Sequence, residues 1–270
     1  TSHFPVNLNG SCLFKNQDVN ILEVIKFVSS PPDVAREPLS LLQKLILKLA
    51  RNNLHSLCMG PVGFGKTFNL IAVSKQLQSN AIQIDEFTSL HEIRQFSRCK
   101  NQTKFFHVDD LGLFQKSKLN AIKLLCDKTL YPNHFILASC NPCACGNYLS
   151  KTKTCSCRAH LISNYYKKLG RPLLDRFDAI LYHDQYLENQ LSKYQSQIMG
   201  QNTSSVKTTF APSIQNRLNQ YVYQYDLSKR KVAQLYNLIQ AFSHTGTQQA
   251  KSLELAFLCQ DFYNKVYYEK

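Results

Sequence analysis

Gly60, Pro61, Val62, Gly63, Phe64, Gly65, Lys66 and Thr67 read in order as G-x-x-x-x-G-K-[ST], the spacing of a phosphate-binding P-loop. The glycines let backbone N–H groups turn toward phosphate oxygens. Lys66 can reach the β- and γ-phosphates, and the Thr67 hydroxyl is placed to hold Mg2+. All eight residues are therefore expected to hold ATP. The flanks have the right character. Leu54–Met59 reads as a short buried strand, and residues 68–78 as an amphipathic helix whose N-terminus favours an anion.

Working outward, further strands are predicted at Ala81–Ile84, Phe105–Val108, Phe135–Ala138 and Ala179–Tyr182. Helices are predicted at Leu39–Leu49, Leu90–Phe96 and Ser117–Leu125. This alternation predicts an α/β fold, a parallel five-stranded sheet with helices on both faces. From Tyr186 onward the pattern is helical only, so residues 186–270 are expected to form a C-terminal helical lid domain. Ser29-Ser-Pro-Pro-Asp33 is a breaker. It sets the expected ATPase domain at 31–185, after an N-terminal extension, 1–30, that ends in the short helical pattern Ile21–Phe27.

The bulk composition bounds the function. With 270 residues, 44% hydrophobic and 19% charged, the chain can bury a core. No apolar run is long enough for a membrane span and no signal peptide is visible at the start, which is Thr1, as in a processed or partial chain. Thirty-two Lys and Arg against 18 Asp and Glu give a net charge of +14, which suggests an acidic partner, nucleic acid first. A Lys- and Asn-rich composition gives the same charge without a partner. Ten cysteines in a P-loop protein point to a reducing compartment, the cytoplasm.

Phe105-Phe-His-Val-Asp109-Asp110 is an apolar strand ending in two carboxylates, 43 residues after Lys66. In P-loop enzymes this is the Walker B site. Asp109 is expected to hold Mg2+ and Asp110 to orient or deprotonate the attacking water. Asp is one methylene shorter than the Glu common at the second position. The strand before Ser139-Cys140-Asn141 ends where additional-strand ATPases place a polar sensor beside the γ-phosphate, and Asn141 fits that role.

Cys143-Ala-Cys145 and Cys155-Ser-Cys157 are two close thiol pairs separated by nine residues. Four thiolates so spaced suit a tetrahedral structural Zn2+ site that staples the polar loop 141–158, with His160 as a spare ligand. Arg176, in Pro172-Leu-Leu-Asp175-Arg176-Phe177-Asp178, is the candidate finger that one subunit lends to the γ-phosphate of the next. Pairing to Asp175 or Asp178 is the competing reading. Arg230, at the start of a lid helix, is expected to fold down onto the phosphates of its own subunit. Lys151, Lys153, Arg158, Lys167 and Lys168 surround the cysteine loop and can meet nucleic-acid phosphates, with Tyr165 and Tyr166 among them to stack on bases. A solvated basic face is the bland alternative.

Together these stretches resemble the magnesium-chelatase-like AAA+ ATPases of the ComM (YifB) group. The resemblance rests on Gly60 to Thr67, Asn141-Pro-Cys-Ala-Cys-Gly146, Cys155-Ser-Cys157, Pro172 to Asp178, His55 and Leu227-Ser-Lys-Arg230. It reaches upstream to Asn9–Phe14 and Ile21–Phe27, which resemble the tail leading out of that family's Lon-like domain. The resemblance implies a homo-hexameric ring that hydrolyses ATP and drives DNA branch migration on single-stranded or branched DNA, with Arg176 acting in trans. The chain departs from the pattern in Asp110, in the short segment between Lys66 and Asp109, and in the lack of room between Leu125 and Tyr131 for the hairpin before sensor 1. Val108-Asp-Asp-Leu-Gly112 is closer to the Walker B of helicase loaders and transposition ATPases. The alternatives are thus an ATP-switched loader or regulator, or a protein-remodelling ATPase with a protein partner.

Overall fold

Ser56–Met59 (β1) has no exposed residue, and neither has His134–Cys140 (β4) beside it. Strands buried on both faces belong in the middle of a parallel sheet. The computed structural model, which describes residues 38–77, 81–97, 104–200, 210–243 and 249–267, places them there. Ile82–Ile84 (β2), Lys104–Val108 (β3) and Ala179–Tyr182 (β5) complete five strands in the order β2-β3-β4-β1-β5. Every pairing is parallel. The predicted sheet is thus observed. The pattern at 21–27, the extension 1–30 and the boundary at 29–33 lie outside the described residues.

Alternate side chains of each strand feed two apolar layers, as the two-residue period requires. Phe105, Phe135, Leu137 and Cys58 enter one layer; Phe106, Val108, Ile136, Ala138 and Met59 enter the other. The first layer is capped by Leu41–Arg51 (α1) and Lys66–Gln76 (α2), and the second by Leu90–Phe96 (α3) and Lys116–Leu125 (α4). Helix α1 starts where Ser40 makes a capping box: its Oγ accepts from Gln43 N and its own N–H donates to Gln43 Oε1. The turn from α4 to β4 is direct, without a hairpin.

Two helices after the cysteine loop, Ala159–Leu169 (α5) and Arg171–Leu174 (α6), were not legible beforehand. Arg158 occupies the N-cap of α5 without a capping side chain, so the usual start signal is missing. Beyond β5 come Gln185–Leu191 (α7), Gln195–Met199 (α8), Pro212–Gln224 (α9), Lys229–Phe242 (α10) and Gln249–Tyr267 (α11). They make the expected helical C-terminal region, which belongs to the same compact unit as the sheet. Leu235, Leu238 and Phe242 of α10 share a core with Leu45 and Leu49 of α1. Phe262 of α11 stacks on Tyr182 at 5.0 Å, so α11 covers the edge strand that would otherwise expose its backbone.

The sheet buries histidines. His55 is fully buried, its Nδ1 accepts from Ile136 N at 3.2 Å, and burial with the nearby Lys128 charge holds its pKa well below the usual value. Burial lowers that of His107 as well. Below pH 6.5 the unfolded chain gains protons that the folded chain refuses, so stability falls on acidification. The loss should approach about 1 kcal/mol per pH unit for each histidine. Urea unfolding between pH 7.5 and 5.5 checks it; a flat profile refutes it.

Candidate nucleotide site and cysteine loop

Because β4 lies between β1 and β3, the loops leaving these three strands meet at one edge of the sheet. Gly65 adopts a left-handed φ of 73° at the N-cap of α2, a conformation glycine takes without a Cβ clash. Lys66 Nζ donates to Gly60 O at 2.8 Å and to Pro61 O at 2.9 Å, and burial lowers its pKa. Thr67 Oγ1 donates to Asp109 Oδ1 at 2.8 Å. This pair of hard oxygen donors fits a small divalent cation such as Mg2+.

Ser139 Oγ donates to the same Asp109 oxygen at 2.7 Å and accepts from Asp110 N at 2.8 Å. Sequence reasoning passed over Ser139 for Asn141, although a polar residue ending a buried strand was the available signal. Asp110 carries a φ of 44°, rare for a residue with a Cβ. Its carboxylate accepts from Asn141 Nδ2 at 2.7 Å and from Gly112 N at 3.2 Å. Burial pushes its pKa up from the ordinary carboxylate value. Lys66, Thr67, Asp109, Asp110 and Asn141 are thus brought together.

The two arginines are not part of this constellation. Asp178 N and Ala179 N both donate to His55 O, at 2.9 and 3.1 Å, so the Arg-Phe-Asp segment sits where β1 begins. The P-loop starts where β1 ends, about 16 Å away at about 3.3 Å per residue. Arg176 Nη2 contacts Asp127 Oδ2 at 2.8 Å, so its ion pair is with neither Asp175 nor Asp178. Arg230 Nη1 lies 4.0 Å from Asp175 Oδ2. The expectation that Arg230 folds onto the phosphates of its own subunit is therefore corrected: its helix is fastened to the opposite end of the strands.

The sulfur atoms of Cys143, Cys145, Cys155 and Cys157 all lie within 4.8 Å of one another. Cys143, Cys145 and Cys155 are 3.4 to 3.8 Å apart. A tetrahedron with Zn–S bonds of about 2.3 Å has edges of about 3.8 Å. Tyr148 N points at Cys143 Sγ, 3.3 Å away, a donor that suits a thiolate ligand. The cluster could thus hold a metal ion. Exposed His160 is not among its members.

The basic patch is partly committed within the chain. Lys168 Nζ donates to Gly112 O at 2.7 Å, Lys153 Nζ to Val62 O at 3.2 Å, and Lys151 lies over the Tyr186 ring. Tyr165 and Tyr166 are not open to stacking on bases. Their hydroxyls donate to Asn141 O and Pro142 O, at 2.6 and 2.8 Å, which supports the sensor strand from behind.

Residues 117–191, from α4 to α7, match the family model described as magnesium chelatase, subunit ChlI. The match begins after the P-loop and Walker B, which the geometry above supplies. In this stretch and in the motifs before it, the chain is similar to magnesium-chelatase-like AAA+ ATPases. No curated protein matches the chain in sequence. Among solved structures it is similar to the Thermotoga maritima RuvB Holliday junction branch migration motor. That match has 14% identity over 81% of this chain and 72% of the other, at a TM-score of 0.38. A proline-to-glycine variant of that protein gives 16% identity over 81% and 73%, at 0.37.

Ser139→Ala should remove a bond to Asp109 and leave Asp110 N without its acceptor, at a cost of about 1–3 kcal/mol. Denaturant unfolding of the variant measures this directly; an unchanged midpoint would show that Ser139 does not tie the carboxylates.

Proposed function

We propose that this chain is an ATP-hydrolysing, self-assembling ATPase that acts on DNA, each subunit completing the nucleotide site of its neighbour. The observation that carries the reading is the separation of Lys66, Asp109, Asp110 and Asn141 at one end of the sheet from Arg176 and Arg230 at the other. A subunit so built cannot bring its own arginines to its own phosphates, but a ring of copies can set one end against the next. Phosphoryl transfer needs such a cation as charge develops. In this arrangement Thr67 and Asp109 hold Mg2+, Lys66 binds the β- and γ-phosphates, and Asp110, oriented by Asn141, takes the proton of the attacking water. A hexamer is the assembly that the family resemblance implies. The net charge of +14 supports DNA, single-stranded or branched, as the acidic partner.

Zn2+ is the metal we assign to the cysteine cluster, on its four sulfur donors and their spacing. Its role is structural. Purified under reducing conditions, the protein should carry about one zinc per chain by elemental analysis, in line with a closed site of four thiolates. Loss of that zinc in Cys145→Ser is expected; a metal-free wild-type protein refutes the assignment.

The direct turn from α4 into β4 favours a second reading, an ATP-switched loader or regulator that grips DNA or a protein partner without processive movement. One experiment separates the cases. ATP turnover is measured without nucleic acid, with single-stranded DNA and with a four-way junction, with Asp110→Asn as control. DNA stimulation lost in the control supports action on DNA, and junction unwinding selects the motor over the switch. Nucleotide binding without DNA stimulation points to a protein partner. Arg176→Ala should keep ATP binding and lose turnover, and mixing it with Lys66→Ala should restore part, because each variant then supplies what the other lacks. No recovery on mixing would remove Arg176 from a shared site.

A further inference from the structure

Lys153 belongs to the cysteine loop, yet its ammonium lies on the P-loop. Lys153 Nζ donates to Val62 O at 3.2 Å and stands 5.8 Å from the centroid of the Phe64 ring. Lys66 Nζ takes the two preceding carbonyls, Gly60 O and Pro61 O. Three consecutive carbonyls of the P-loop are therefore engaged by two ammonium groups, one from α2 and one from the cysteine loop. Lys66 is the residue that reaches the β- and γ-phosphates in this motif. The neighbouring carbonyl places Lys153 at the same, terminal-phosphate end of the loop.

The contact is built into the fold. Gly146, one residue after Cys145, has a φ of 80°, and a Cβ there would lie 2.5 Å from Val62 Cγ2 and 3.4 Å from Val62 N. Only a glycine lets the two loops close this far. The turn that carries Lys153 is itself tied, with Ser150 Oγ accepting from Thr152 N at 3.3 Å and Lys153 N at 3.1 Å. Lys151 holds its other side, 3.4 Å from the centroid of the Tyr186 ring. Cys155, a member of the sulfur cluster, follows two residues later. Asn141 precedes the same cluster by two residues and is bonded to Asp110. The four-cysteine loop thus runs from the sensor residue to a lysine on the P-loop, with its sulfur cluster between them.

We propose that Lys153 is a cation for the terminal phosphate of a nucleoside triphosphate bound to its own subunit, and that the metal-held cysteine loop is the arm that sets its position. A phosphate oxygen is a stronger acceptor than the Val62 carbonyl, because charge-assisted bonds outrank neutral ones. The short side-chain movement from Val62 O toward a γ-phosphate is available to an exposed lysine. The consequence is selectivity. A diphosphate lacks the group that Lys153 meets, so this contact makes the site prefer ATP over ADP. The inference rests on the P-loop reading and deepens it.

The test is equilibrium binding of a fluorescent ATP analogue and its ADP counterpart to the zinc-loaded full chain. Lys153→Ala should weaken the ATP analogue about tenfold, the loss of one hydrogen bond to a charged group, and leave the ADP analogue within about twofold. Lys153→Arg should recover most of the loss. Equal weakening of both nucleotides, or none, overturns the proposal. Lys66→Ala is the separate control: if it still binds both nucleotides, the P-loop reading itself has failed. Chelating the zinc should lower the ATP affinity of the wild-type protein several-fold more than that of Lys153→Ala, which keeps only the Asn141 end of the loop to lose. Parallel losses in both proteins would overturn the role of the loop as the arm.

Discussion

Asp109 Oδ1 receives two hydroxyls, from Thr67 and from Ser139, and through them the loops after β1, β3 and β4 become one object. The carboxylate sits at the end of a strand buried in both layers, where an unpaired oxygen would cost several kcal/mol. Two donors satisfy it and fix the distance from the P-loop to the Walker B strand. Ser139 passes the constraint on by accepting from Asp110 N, which holds the second carboxylate in a backbone conformation that disfavours residues with a Cβ. Left-handed strain of roughly 1–2 kcal/mol persists because Ser139, Asn141 and Gly112 all hold Asp110 in place. The Asp110 carboxylate is thus positioned at the expense of local stability.

The other end of the sheet answers to a buried network of its own. Asp178 is buried, accepts from His55 N at 2.7 Å and meets Lys128 Nζ at 3.0 Å. Burial raises its pKa, and Lys128 and the His55 N–H oppose that rise. Helices α10 and α11 close it from outside. Lys231 is fully buried, donates to Phe177 O at 2.9 Å and lies 4.2 Å from the centroid of the Tyr263 ring. Burial draws its pKa down to about 8. Gln234 donates to Asp175 O, Gln260 to Asp178 O, and Tyr263 OH to Asp175 Oδ1. Four side chains of the C-terminal helices therefore grip the segment that carries Arg176. Removing one partner of a buried charge costs about 3–5 kcal/mol, so Lys231 fastens its helix firmly to this segment.

The sheet and the P-loop were legible because each strand is a compact apolar run and the loop motif fixes its glycines, lysine and hydroxyl at set spacing. That Asp109, Asp110 and Asn141 lie close together followed from strand ends in a known order. The arginines were legible as residues and illegible in place. Sequence marks the start of the helix at Ser228, which caps Lys231 N, but not which end of the sheet the helix meets. That is decided by Lys231, Gln234, Gln260 and Tyr263, which read on paper as surface polar residues of a Gln- and Lys-rich stretch. The same limit explains Tyr165 and Tyr166. Among lysines they resemble a stacking platform, and only the approach of α5 to the sensor strand shows their hydroxyls committed to Asn141 and Pro142.

The cysteine loop joins these lines of argument. It leaves the sheet at Asn141, whose side chain orients Asp110, and it returns against Val62 through Gly146 and Lys153. A segment of this polarity has too little apolar surface to offset the entropy of ordering it. Its two anchor points on the nucleotide site would be loose without a cross-link. Four sulfurs within 4.8 Å of one another supply the place for that link, between the anchors and not beyond them. A metal whose only task was to close a surface loop would gain nothing from contacts to both the sensor and the P-loop. Here the cluster lies between the contact to Asp110 and the contact to Val62, so ordering the loop also sets where both of its ends meet the loops after β1 and β3.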